Sequence, residues 1–164
     1  MTTTFDFGNG PVPAHKHSNG GGWVADTATV DETAFVGRDA RVSGNARVSG
    51  NARITDNAWV SGNAFVSDKA RVSDDAWVFG DARVSDKARI TGNARVSRNA
   101  RVSGNAFVYG NAQVSGNARV SDKARITGNA LVSGRARITD NVLVSGDARV
   151  SGNARASGDA WVVA

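Results

Sequence analysis

Cysteine is absent from this chain of 164 residues, which removes both a disulfide framework and a thiolate metal site and leaves the redox compartment open. Histidine is almost absent too. The two that occur, His15 and His17, both lie near the N-terminus. No apolar run approaches the length of a membrane span, and the N-terminus shows no basic-then-apolar leader, so neither a membrane partner nor a secretory signal is expected. That leaves the compartment undetermined, cytoplasmic and virion-associated alike. There is no cysteine nucleophile, no glycine-rich loop leading into a helix, and no Ser-His-Asp set beyond chance. No catalytic residue, cofactor or resident metal is expected. His15-Lys16-His17 on a strand would put both imidazoles on one side, but two ligands need others to complete a site.

What is present is strictly periodic. Every sixth residue from Val24 to Val162 is valine or isoleucine, with Ala156 the single exception, which makes 24 positions. Four residues after each comes alanine, from Ala28 to Ala160, interrupted only by Val142. Repetition of this kind overrides element-by-element reading. β-branched residues favour extended backbone, and Gly-Asn or Asp-Lys pairs favour turns. A helix is excluded because Gly and Asn would recur through its interior. Each unit therefore predicts a short strand and a corner. In Ala40-Arg41-Val42-Ser43, alternation puts Ala40 and Val42 inward and Arg41 and Ser43 outward.

The number of units per coil is also written in the sequence. The string Val84–Ala94 recurs unchanged at Val120–Ala130, and Asp68-Lys69 recurs at Asp86-Lys87 and Asp122-Lys123. These offsets of 18 and 36 residues are multiples of three units. Three strands per turn give a triangular cross-section, and 24 units give eight coils. At a strand spacing of about 4.8 Å the prism would be about 38 Å long. The expected fold class is all-β, a single-stranded parallel β-helix over residues 23–164, preceded by an arm or cap over residues 1–22.

The first three units, Val24-Ala25-Asp26-Thr27-Ala28, Val30-Asp31-Glu32-Thr33-Ala34 and Val36-Gly37-Arg38-Asp39-Ala40, resemble the consensus of the hexapeptide-repeat superfamily. Later units depart from it: the second position becomes Ser or Thr almost everywhere and glycine moves one place on. With Gly22-Trp23-Val24 in front, the pattern is similar to bacterial and prophage-borne acyltransferase-like repeat proteins. The resemblance implies a left-handed β-helix and a homo-oligomer, a trimer before other sizes. It also implies a catalytic histidine near a subunit boundary, and none of the 24 units contains a histidine. The expectation is therefore a non-enzymatic structural or binding rod, with a degenerate acyltransferase as an alternative.

Outward residues 18 apart share a face. One face carries Thr29, Arg47, Phe65, Arg83, Arg101, Arg119, Arg137 and Arg155. The five consecutive arginines Arg83, Arg101, Arg119, Arg137 and Arg155 form a ladder suited to an acidic polymer, glycan or nucleic acid, because guanidinium forks bind anions bidentately. The chain's net charge of +5, with 16 of 20 basic residues arginine, points the same way. Asp68, Asp86, Asp122 and Asp140 at the adjoining corner are expected to neutralise part of the ladder. A second face carries Trp59 and Trp77 beside Phe79; a third carries Phe107, beside Tyr109, and Trp161. These six aromatics are the expected self-association surface, since exposed apolar patches mark contacts; sugar stacking on the tryptophans is the alternative. Phe5, Phe7, Pro11 and Pro13 would cover the first coil. The terminal Trp161-Val162-Val163-Ala164 would leave an open strand edge, which invites pairing. Asp56 and Asp74-Asp75 lack the spacing of a calcium β-roll, and Thr55, Thr91 and Thr127 are too few for an ice-binding face.

Overall fold

The computed structural model describes residues 3–164, and all regular structure among them is β. Strand β1 (Thr4–Asp6) and β2 (Pro11–Lys16) form an antiparallel hairpin. Its turn is held by the Asp6 carboxylate, which accepts the N–H groups of Gly8 and Gly10 at 2.7 and 3.0 Å. Strand β2 pairs antiparallel with β3 (Trp23–Ala25), the first strand of the repeat. From there a strand begins every six residues up to Trp161–Val163.

Each strand pairs in parallel with the strand 18 residues away, so three sheets wrap one core. The first sheet runs from Trp23 through Arg41, Trp59, Trp77, Arg95, Gln113 and Leu131 to Arg149, extended by the hairpin to ten strands. The second runs from Thr29 to Arg155 and the third from Phe35 to Trp161, eight strands each. The result is a triangular parallel β-solenoid of about eight turns. Backbone N–H groups of the outward residues reach toward the following coil: Arg41 N–H donates to the Ala58 carbonyl at 3.0 Å and Ser43 N–H to that of Val60 at 2.9 Å.

The periodic aliphatic residues fill the axis. From Val36 to Val144 every sixth residue is at most 1% exposed, and the intervening alanines from Ala34 to Ala136 are fully buried. Burying each valine stabilises by roughly 1.5–3 kcal/mol before entropy is counted. In the third sheet valine and isoleucine alternate, from Val36 through Ile54, Val72, Ile90, Val108 and Ile126 to Val144. The larger side chain thus always has the smaller one above and below, which suits the close packing of interiors.

The corners explain the residues between strands. From Gly44 to Gly158 every sixth residue has φ between 57° and 73°, the left-handed region. Glycine occupies 13 of these 20 positions, aspartate six and arginine one, Arg98. The first three corners turn without positive φ, and these are the units that fit the hexapeptide consensus. Aspartate tolerates the left-handed region, and here it has a further use. Oδ2 of Asp74, Asp86 and Asp140 accepts the N–H of the corner residue one coil on, Gly92, Gly104 and Gly158, at 2.9–3.0 Å. The corner aspartates therefore answer backbone donors. None of them stands at ion-pair distance from an arginine of the ladder; the one ion pair among the described residues is His15–Asp26.

Serines are outward but not uniformly exposed: Ser43, Ser61, Ser67 and Ser97 are buried. Ser43 and Ser61 lie under the indoles of Trp59 and Trp77, and the Ser67 hydroxyl donates to Asp68.

A Cβ at Gly62 would stand 2.9 Å from the nitrogen of Gly80, besides the cost of its φ of 68°. Gly62→Ala should lower stability by about 1–2 kcal/mol. Gly62→Asp should cost less, because its carboxylate meets the Gly80 N–H. Arg98→Gly should raise stability by up to about 1 kcal/mol. Urea-unfolding midpoints of the three variants check the order.

Candidate functional site

The arginine ladder is assembled as the 18-residue spacing requires. Arg83 is in register with Arg101, Arg101 with Arg119, Arg119 with Arg137, and Arg137 with Arg155. All five side chains are exposed. Parallel strands place them about 4.8 Å apart along the axis. None has a carboxylate at ion-pair distance among the described residues. Arginines on the other two sheets are partly engaged: Arg53 lies over the Phe35 ring at 4.5 Å, Arg41 over Phe5 at 5.7 Å and Arg95 over Trp77 at 6.0 Å. The second sheet thus carries the column with the most charge and the fewest internal partners.

Its borders add to it. Arg98 and Arg135 stand exposed at the corner before the column, and Lys87 and Lys123 at the corner after it. A groove of about 600 Å³ follows that second corner, lined by Asp68, Lys69, Asp86 and Lys87 between Gly50-Asn51 and Gly104-Asn105. At the first corner, asparagine side chains stack in a ladder: Asn63 Nδ2 donates to Asp81 Oδ1 at 3.0 Å. This row of bonds ends at Asp81, where the column begins; beside the column it is the second corner that is held, by the Asp86 and Asp140 carboxylates on the N–H groups of Gly104 and Gly158.

The six aromatics do not form one surface. Trp59 and Trp77 stack at 5.0 Å with their planes 6° apart, and Phe79 lies 4.2 Å from Trp77. Phe107 and Tyr109 stack at 4.4 Å on a different sheet. Trp161 stands apart on the last coil, 77% exposed. The tryptophan pair is also tied down within the chain. Each indole N–H donates to a serine hydroxyl of the preceding coil, Trp59 to Ser43 and Trp77 to Ser61, both at 2.9 Å. Each ring has a face against its neighbour, and Trp77 carries Arg95 and Phe79 besides, which leaves little free ring face for a sugar to stack on.

The hairpin covers this sheet as well as the start of the solenoid. Phe5 stacks on Trp23 at 4.5 Å, Phe7 is buried, and Phe7, Ala14 and Ala25 form a small core against Phe5, Trp23 and Trp59. A groove of about 610 Å³ lies between the hairpin turn and the tryptophans, with Phe7, Val12, Arg41, Trp59 and Trp77 in its walls. The sequence signal for this arrangement is Gly8-Asn9-Gly10 between two short strand-forming runs.

The histidines diverge, because β2 ends at Lys16 and the strand alternation stops before His17. His15 Nδ1 is 2.8 Å from the Asp26 carboxylate, with both side chains about half exposed. His17 is buried, its Nε2 3.0 Å from the Ala34 carbonyl, to which Asn19 Nδ2 also donates at 3.0 Å. Both contacts close off the first coil.

Residues 40–52, 46–62, 88–104 and 112–126 match a family model described as the YdcK beta solenoid repeat. The chain is similar to that repeat family. The matches span about a third of the sequence, all within the coils, and two of them, 88–104 and 112–126, include Arg101 and Arg119 of the ladder. No curated protein matches the chain.

If the hairpin is held by its aromatic contacts, Phe7→Ala should speed hydrogen exchange of the amides of Val12 and Ala14. Exchange from Val60 to Val132 should stay slow, since solenoid coils are stabilised by their nearest neighbours.

Proposed function

We propose that this chain is a non-catalytic β-solenoid rod whose second sheet binds an anionic polymer along Arg83, Arg101, Arg119, Arg137 and Arg155. The observation that carries this is the column itself: five in-register, exposed guanidinium groups with no carboxylate at ion-pair distance among the described residues. Like charges at that spacing repel, and a polyanion laid along them would relieve the repulsion while releasing its own counter-ions. A structure without extruded loops suits a surface made of repeated contacts more than one made of a single reactive centre. Acyl transfer, the alternative raised by resemblance, draws no support from the coils, and both histidines are engaged at the N-terminal coil.

The triple variant Arg101→Gln/Arg119→Gln/Arg137→Gln should lower affinity for heparin, polygalacturonate or DNA at low salt. The slope of log affinity against log salt should flatten by about 2–3. Absence of binding by all three polymers, or equal binding by the variant, would reject the proposal.

Self-association is a second reading, favoured by aromatic side chains that stand together on the surface of the third sheet, where Phe107 stacks on Tyr109 at 4.4 Å. Light scattering should give an oligomer, a trimer by the earlier expectation, that persists in high salt and loses mass on Phe107→Ser/Tyr109→Ser. A monomer under all conditions would end this reading.

A further inference from the structure

The hairpin turn carries a chemistry that the arginine column does not use. Of the 14 asparagines in the chain, eleven precede alanine and one precedes valine; Asn9 and Asn19 alone precede glycine. We propose that Asn9 is a site of spontaneous covalent modification, at which the Gly10 nitrogen displaces the side-chain amide as ammonia and the hairpin is loosened.

The reaction consumes only water. The Gly10 nitrogen gives up its proton and forms a bond to Cγ of Asn9. The Cγ–Nδ2 bond breaks, ammonia leaves with that proton, and a five-membered cyclic imide closes. Water then adds at one of the two imide carbonyls. Opening at Cγ leaves an aspartate. Opening at the former backbone carbonyl leaves an isoaspartate, whose main chain runs through the side chain and is longer by a methylene. Nothing is oxidised or reduced.

Three observations place the reaction at Asn9. The first is the missing Cβ on the residue that follows, which lets its nitrogen approach the amide carbon. In the coils, the asparagines from Asn45 to Asn129 each precede an alanine that is fully buried. Their backbone nitrogens are held where the attack cannot be made.

The second is room. Asn9 is exposed, and it stands in the wall of the groove between the turn and the tryptophans. A Cβ added at Gly10 would meet nothing within 4 Å. The same dipeptide at Asn19-Gly20 is clamped: Asn19 Nδ2 donates to the Ala34 carbonyl, and the Asn19 carbonyl accepts the Val36 N–H, both at 3.0 Å. A Cβ at Gly20 would collide with the Val36 carbonyl. Two identical dipeptides thus differ only in their freedom to close the ring.

The third is the part that Asp6 plays in the turn. Its Oδ1 holds the N–H groups of both Gly8 and Gly10, and Phe7 beside them is buried in the small core against Trp59. A carboxylate on the attacking nitrogen opposes loss of its proton, so Asp6 slows the reaction. Once the reaction has occurred, a second carboxylate stands in a turn built around one, and in the isoaspartate the turn is also longer. The bonds to Asp6 lose their geometry, and Phe7 loses the strand ends that hold it.

Peptide mapping by mass spectrometry of the full chain, kept in mildly alkaline buffer, tests the site. Asn9 should convert at least about ten-fold faster than Asn19, which reacts only from locally opened molecules. Asp6→Ala should speed conversion of Asn9 at least about two-fold. In the aged protein the amides of Val12 and Ala14 should exchange at least about ten-fold faster than in fresh protein, and those from Val60 to Val132 should keep their rates. Asn9→Gln, whose longer side chain closes the imide ring poorly, should keep its hairpin protection on ageing. Conversion of Asn9 no faster than that of Asn19, or of neither, would overturn the site. Conversion that leaves Val12 and Ala14 protected would overturn the loosening, as would equal loss of protection in aged Asn9→Gln. Slower conversion in Asp6→Ala would remove Asp6 as the brake.

Discussion

The hydrogen-bond ladder between strands 18 residues apart is the constraint on which everything else rests. Each short strand contributes few bonds, and none would be stable alone. Because every coil repeats the same register, each inward aliphatic residue lies on another and each corner lies on another corner. The core is therefore a column, and its stability is a sum of nearest-neighbour contacts. The identity of residues at one coil limits those at the next, as the alternation of Val and Ile in the third sheet shows.

The same register forces like onto like at the surface, where stacking has opposite effects on different side chains. Asparagines gain from it, since one amide donates to the next, as Asn93 does to Asn111 and Asn111 to Asn129. Tryptophans gain as well, through face contact. Arginines do not. A column of exposed guanidinium groups is held together by the backbone in spite of its charge, and the corner aspartates that lie closest are occupied with backbone N–H groups. The fold thus concentrates charge of one sign on one face without direct ion pairs among the described residues.

Much of the architecture was legible in the sequence because period and burial are the same fact here. The six-residue spacing gave strand and corner, and the identical strings 36 residues apart gave three strands per coil. The three outward columns follow from arithmetic, so the arginine ladder was readable residue by residue. What escaped were features in which two different elements meet. That Phe5 and Phe7 would lie over Trp23 and Trp59 depends on how the hairpin folds back, which no periodicity encodes. Aspartates at Asp74, Asp86 and Asp140 look like surface charge in the sequence; only the left-handed corner shows that their carboxylates replace a missing backbone acceptor. Nothing in the charge pattern sets Arg98 apart, though its backbone sits where an L-residue with a long side chain is least at ease.

The repeat of 18 residues has a consequence for how such a molecule changes over generations. An inserted residue inside a coil must bulge out or disturb the stacking, whereas a duplicated block of 18 adds one whole turn and leaves every column in line. The unchanged string at Val84–Ala94 and Val120–Ala130, two turns apart, has the form such a copying event would leave. Length and cationic valence are then inherited together: one more turn brings one more guanidinium to the ladder. A lineage could set both the length of the rod and the charge of this face by counting turns, with no new contact to invent.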